Sequence, residues 1–129
     1  MRCNFNNGTT AVNVDLQLGG GVAIDGPELW ILVGQNFVQA PGPPTVTAAR
    51  ARWRNIPRPA HGGIFLQLFW SAFDPMHNTW RYEAKITVTD QSGARLPGRD
   101  GHVNPARLPR DVGAIVPSWG HEQEPISIF

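Results

Sequence analysis

Arg50, Arg52 and Arg54 recur at every second position and form the strongest charged feature of the chain. On a strand, that spacing places all three guanidinium groups on one face. Guanidinium groups grip carboxylates and phosphates through planar forks and stack on aromatic rings. With Trp53 beside them and Arg58 following, the group reads as a grip for a small anionic ligand, a sugar acid or a phosphate. The competing reading is a solvated face whose arginines pair with Asp and Glu on a neighbouring strand. Ten of the eleven basic residues are Arg, with Lys85 the exception, a bias that GC-rich coding also produces.

The second chemistry-bearing set is aromatic. Trp30, Trp53, Trp70, Trp80 and Trp119 are many tryptophans for 129 residues. Lectins stack sugars on exposed aromatic faces and hold hydroxyl groups with Asp, Asn and Arg. Trp30, Trp70 and Trp80 stand in apolar patterns and read as core. Trp119, in Pro117-Ser118-Trp119-Gly120-His121, has a loop-like context and is the candidate platform. The turn-rich segment 99–104 supplies polar partners, Asp100, His102 and Asn104.

Catalytic and metal signatures are weak. His61, His77, His102 and His121 are widely spaced, without the His-x-His or His-x-x-x-His pattern that aims two imidazoles at one metal. No Gly-x-Ser-x-Gly elbow positions a serine. Cys3 has no adjacent base and reads as a small incidental or buried thiol. Glu122 and Glu124 share a segment with His121, but paired carboxylates for glycoside hydrolysis would have to converge from different strands. Neither a cofactor nor a catalytic residue is expected.

The elements that must position these residues are strands. In Thr79 to Asp90, Trp80, Tyr82, Ala84, Ile86 and Val88 alternate with Arg81, Glu83, Lys85, Thr87 and Thr89, the pattern of a half-buried strand. Asp90-Gln91-Ser92-Gly93 then supplies turn chemistry. Ala11 to Leu18 alternates equally cleanly, and Gly19-Gly20-Gly21 ends it. Asp25-Gly26-Pro27 reads as a turn, and Leu29 to Val33 as a strand covered on both faces. Phe37-Val38 extends it after a turn at 34–36, and 40–44 is a stiff proline loop. Thr45 to Arg54 mixes strand formers with Ala48-Ala49-Arg50-Ala51-Arg52, good helix formers; the neighbouring strands favour the extended reading. Asn55 to Gly63 reads as loop, and Ile64 to Trp70 as a central strand. Beyond Leu96 the pattern thins, with short strands at 112–116 and 126–129 inside an irregular tail held by Val103, Leu108 and Trp119.

Gly 14 and Pro 12 among 129 residues disfavour a helical bundle. The fold class that follows is all-β: an antiparallel β-sandwich, jelly-roll or immunoglobulin-like. It would have seven or eight short strands, one domain over residues 1–129, and an irregular proline-rich C-terminal third. A net charge of +1 argues against nucleic acid as partner. No apolar run approaches the ~20 residues of a membrane span. One cysteine allows no intrachain disulfide, and the start lacks the apolar stretch of a signal peptide, so the default compartment is the cytoplasm.

Ala51-Arg52-Trp53-Arg54, together with Tyr82, Ile86, Asp90, Gly93 and Gly98 running toward Pro105, resembles the PixA/AidA family of bacterial inclusion-body proteins. The similarity covers 28–105; the start differs, and Asn104-Pro105 stands where the family has Trp-Asp. The resemblance implies a β-sandwich, self-association and no catalytic residues to carry over.

Three functions are therefore in competition. The first is a non-enzymatic, lectin-like sandwich, homo-oligomeric, binding carbohydrate or a small anionic ligand through Trp119, Asp100, His102, Asn104, Arg50, Arg52, Arg54 and Trp53. The second is a self-assembling structural protein, since a charged fraction of 16% against a usual ~25% favours association over solubility. The third is a small hydrolase with a dispersed site.

Overall fold

The structure is a computed structural model that describes residues 1–74, 81–98, 106–111 and 118–129. Among the described residues the strands are β1 (Arg2–Cys3), β2 (Ala11–Leu18), β3 (Ala23–Val33), β4 (Asn36–Gln39), β5 (Thr45–Thr47), β6 (Arg50–Pro57), β7 (Ile64–Asp74), β8 (Arg81–Asp90), β9 (Ala106–Asp111) and β10 (Ser118–Ile128). They form two five-stranded sheets, ordered β1-β10-β7-β3-β4 and β5-β6-β2-β8-β9. All pairings are antiparallel except β1 with β10. The protein is an all-β sandwich.

Alternation builds the core. Val12, Val14, Leu16 and Leu18 of β2 are buried, as are Tyr82, Ala84, Ile86 and Val88 of β8. These two strands pair in unbroken register, Val12 opposite Asp90 through Leu18 opposite Ala84. From the other sheet, Ile64, Leu66, Leu68, Trp70 and Ala72 of β7 and Ile126 and Ile128 of β10 point inward to meet them. Each Val, Leu or Ile side chain among them contributes about 1.5–3 kcal/mol by leaving water. Trp70 donates its indole N–H to the Tyr82 hydroxyl at 3.3 Å, so one buried polar contact also joins the sheets.

Two bulges decide which side chains face outward. In β3, Asp25 pairs with Ser71 and Glu28 with Phe69, so Gly26 and Pro27 together stand opposite a single residue. The segment predicted as a turn is thus a bulge inside a longer strand. Pro27 has no donor to give a ladder, and Gly26 takes a φ of 54° at no steric cost. The extra residue resets the alternation: Ile24 packs against the core before it, and Leu29 is buried after it. In β6, Val12 pairs with Ile56 and Val14 with Trp53, which places Arg54 and Asn55 opposite Asn13. Asn55 adopts a φ of 60°, and its N–H donates to Asn13 Oδ1 at 3.0 Å.

Other expectations are corrected in detail. Residues 45–54 are extended, as favoured, but they form a hairpin: β5 and β6 pair Thr47 with Arg50 around a turn at Ala48-Ala49. β6 runs on to Pro57, into the predicted loop. The C-terminal tail is less irregular than its prolines suggest, because β10 pairs with β7 from Ser118 opposite Asp74 to Ile128 opposite Ile64. Residues 112–116 and Val103 lie outside the described residues. Leu29–Val33 is not covered on both faces: Leu29 is buried, but Trp30 and Leu32 on the outer face are only half-buried, and Val33 at the strand end is 58% exposed.

The outer sheet face as candidate binding site

The inward phase of β7 leaves Phe65, Gln67, Phe69 and Ser71 on its outer side. The reset phase of β3 likewise turns Glu28, Trp30 and Leu32 outward. The register then assembles them: Glu28 stands opposite Phe69 and Trp30 opposite Gln67, while on the far side Leu32 faces Phe37 and Trp30 faces Gln39. The result is a shallow depression of about 390 Å³ lined by Glu28, Trp30, Phe37, Gln67 and Phe69. Phe37 is 50% exposed, and the other two rings are half-buried. The indole N–H of Trp30 donates to Glu28 Oε2 at 3.2 Å, which fixes the ring and leaves the carboxylate's remaining lone pairs toward solvent. Farther along the same face, Phe65 and Phe129 meet edge to face at 5.7 Å.

Chemically, this is an aromatic floor with one carboxylate, Glu28, and one amide, Gln67, at its rim. Apolar ring faces suit the C–H face of a sugar or another flat ligand, and the rim groups accept and donate hydrogen bonds. Trp30, read from sequence as core, is the side chain that organises it.

The arginine set lies on the outer face of the other sheet. Its phase is as predicted: Ala51 and Trp53 are buried, and Arg50, Arg52 and Arg54 point away from them. Asp15, on the neighbouring β2, decides their chemistry. Arg50 grips it with two nitrogens, Nε at 2.9 Å from Oδ1 and Nη2 on Oδ2, and Arg52 Nε lies 3.9 Å from Oδ2. The hydrogen bonds that Arg50 donates to Asp15 raise its pKa further. Two of the three guanidinium groups therefore share one carboxylate, the arrangement of a paired solvated face. Arg54 is exposed beside a depression of about 350 Å³ that Asn13 and Thr89 also line. Arg58 is not part of the row; it caps the Phe5 ring at 3.9 Å and bonds the Thr9 carbonyl. Trp53, only 3% exposed, is a core side chain on the opposite face of β6 from the arginines.

Asp100, His102 and Asn104 lie outside the described residues. Trp119, expected in a loop, has its backbone in β10 opposite Phe73. Cys3 is fully buried; burial pushes its thiol pKa up, opposed by the charge of the N-terminus, so it is unsuited to nucleophilic work. Among the described residues no three His, Cys, Asp or Glu side chains group as metal ligands. No described helix is long and apolar enough to cross a membrane.

No protein-family model, curated protein or solved structure matches this chain.

Proposed function

We propose that the protein is a non-enzymatic, lectin-like β-sandwich that binds a carbohydrate or similar small ligand on the outer face of the β7-β3-β4 sheet. One observation carries this reading: Trp30, Phe37 and Phe69, from three adjacent strands, converge on one depression rimmed by Glu28 and Gln67. A sugar would lay its apolar face on the rings and direct hydroxyls to the rim. The rigid sheet pre-orients these groups, so little ordering opposes binding.

A glycan array with purified, untagged protein tests it. Selective retention of one sugar class, abolished by Phe37→Ala with unchanged circular dichroism, is the expected result. A blank array on folded protein overturns the reading. Trp119→Ala on the same array separates this face from the 99–119 segment: loss of binding there, with Phe37→Ala still active, would move the site to that segment.

The second reading, a self-assembling structural protein, is favoured by a different observation. Val33, Phe37 and Val38 are 58%, 50% and 45% exposed at the rim of one sheet, a cluster that favours association. The resemblance to the PixA/AidA family points the same way.

A further inference from the structure

We infer that β4 is a dimerisation edge that pairs antiparallel with the β4 of a second copy, about a dyad through Val38. This inference rests on the self-association reading, not on the ligand reading.

The backbone pattern carries the argument. Ala40 donates its N–H to the Leu29 carbonyl at 2.8 Å. In an antiparallel pair, residues alternate between facing the partner strand with both backbone groups and facing away with both. Val38, two residues back and opposite Ile31, therefore also faces β3, and so does Asn36 opposite Val33. Phe37 and Gln39 must direct their N–H and C=O groups away from β3. On that side β4 is the last strand of its sheet.

The other edges are poorer templates. β1 has two residues and β5 three, and β9 carries Pro109 with Arg107 and Arg110. In contrast, β4 is uncharged, exposed along its length and carries no proline or lysine.

A second copy matches it in phase with groups already in the chain. A dyad normal to the sheet maps outer face onto outer face, so opposed residues must share a face. Centring on Val38 sets Phe37 opposite Gln39 of the second copy, and Gln39 opposite its Phe37. Both are outward-directed pairs, giving four backbone hydrogen bonds. Centring on Phe37 gives two, because the next pair would need Gln35, which lies in the turn. The five-stranded sheets then join as one of ten strands. The two Val38 side chains meet on the inner side, where Val38 lines a cleft of about 800 Å³ with Val33, Ile31 and Ile64. The two Phe37 rings fall diagonal to each other on the outer side, so the aromatic depressions become one continuous face.

Sedimentation velocity over a concentration series tests this. The wild-type chain is expected to dimerise reversibly. Gln39→Pro deletes one intermolecular donor per copy and no intramolecular one, so melting should stay unchanged while the dimer dissociation constant rises about tenfold or more. Val38→Lys sets two ammonium groups opposite each other and should give a monomer, whereas Val46→Lys on the β5 edge should leave the dimer intact. Should Gln39→Pro fail to fold, Val38→Lys decides. A wild-type chain that stays monomeric at all concentrations, or a dimer that persists in Val38→Lys, overturns the inference. Glycan retention by the monomeric variant keeps the outcome independent of the ligand reading.

Discussion

Trp30 and Trp70 stand on adjacent strands of one sheet and face opposite ways, so replacing each by alanine should separate binding from folding. Trp70 is 2% exposed and donates to Tyr82. A buried tryptophan removes about 200 Å² from water, which at about 25 cal/mol per Å² amounts to about 5 kcal/mol. Core truncations of this kind measure about 3–5 kcal/mol, and the lost hydrogen bond is worth about 1 kcal/mol. Trp70→Ala should therefore cost about 5 kcal/mol, a large share of the roughly 6–19 kcal/mol that stabilises a domain of this length. At roughly 3–6 °C per kcal/mol for this size, the melting temperature should fall by about 15–30 °C. Trp30 is only half-buried, and its indole N–H bonds a carboxylate in contact with solvent. Trp30→Ala should cost about 1–2 kcal/mol of stability, yet weaken binding of the array-selected glycan at least about tenfold. Thermal melts followed by circular dichroism, with titration calorimetry at a temperature where both variants are folded, give the two readouts. If Trp30→Ala lowers melting as far as Trp70→Ala, the outer face is a packed surface and not a platform. If Trp70→Ala melts with the wild type, the inward phase of β7 is wrong.

Three further outcomes follow from the polar contacts. The Asp90 carboxylate accepts hydrogen bonds from the Ser92 hydroxyl at 2.6 Å, from Asn6, and from the Ser92 and Ala94 N–H groups, and these hold its pKa below the ordinary value. A lowered folded-state pKa means that the stabilisation is present above the unfolded value, roughly 3.9, and is lost as pH falls through the folded one. Ser92→Ala should therefore flatten the acid limb of a melting-temperature profile between about pH 5 and 2, and an unchanged limb would contradict the assignment. At the β6 bulge, Asn55→Ala should destabilise by about 1 kcal/mol because alanine lacks the short polar side chain that eases asparagine into positive φ, while Asn55→Gly, with no Cβ to strain, should be neutral or stabilising; urea melts that rank them otherwise would count against the strain. A double-mutant cycle on Asp15→Ala and Arg50→Ala should return no more than about 1 kcal/mol, falling with added salt, because Arg50 is 39% exposed; a salt-insensitive coupling of several kcal/mol would show that the pair is not solvated.

The faces of β2 and β8 were legible because alternation and burial say the same thing there, and the arginine phase of β6 followed from spacing alone. What escaped was everything that depends on a partner strand. Gly26-Pro27 has the composition of a turn, and only the continuation of pairing along β7 makes it a bulge. That bulge sets the phase of β3, so the outward direction of Trp30 could not be read from the unbroken apolar run around it. Ala48-Ala49 carries no turn residue, which hid the β5–β6 hairpin. Pro125 and the polar run Glu122-Gln123-Glu124 masked β10, which takes its shape from β7 and not from propensity. The aromatic site combines residues 30, 37 and 69. The hairpin turn brings the first two together, but the third arrives only through the sheet order.

The hydrogen bond between Trp70 and Tyr82 also gives the protein an internal optical reporter. Tyr82 is the only tyrosine in the chain. A tyrosine excited this close to an indole passes its energy on, so the folded protein should emit almost entirely from tryptophan. Parting of β7 from β8 removes this hydrogen-bonded acceptor, while Trp80, two positions from Tyr82 in the chain, keeps a share of the transfer, so the tyrosine band rises only in part when the sheets separate. The red shift of tryptophan emission reports something else, the entry of water around rings that include the buried Trp53 and Trp70. Coincidence of the two signals would mean that the sheets part and the core wets in one step. Tyrosine emission rising first would identify a state in which the sandwich has opened while each sheet still shields its own side chains.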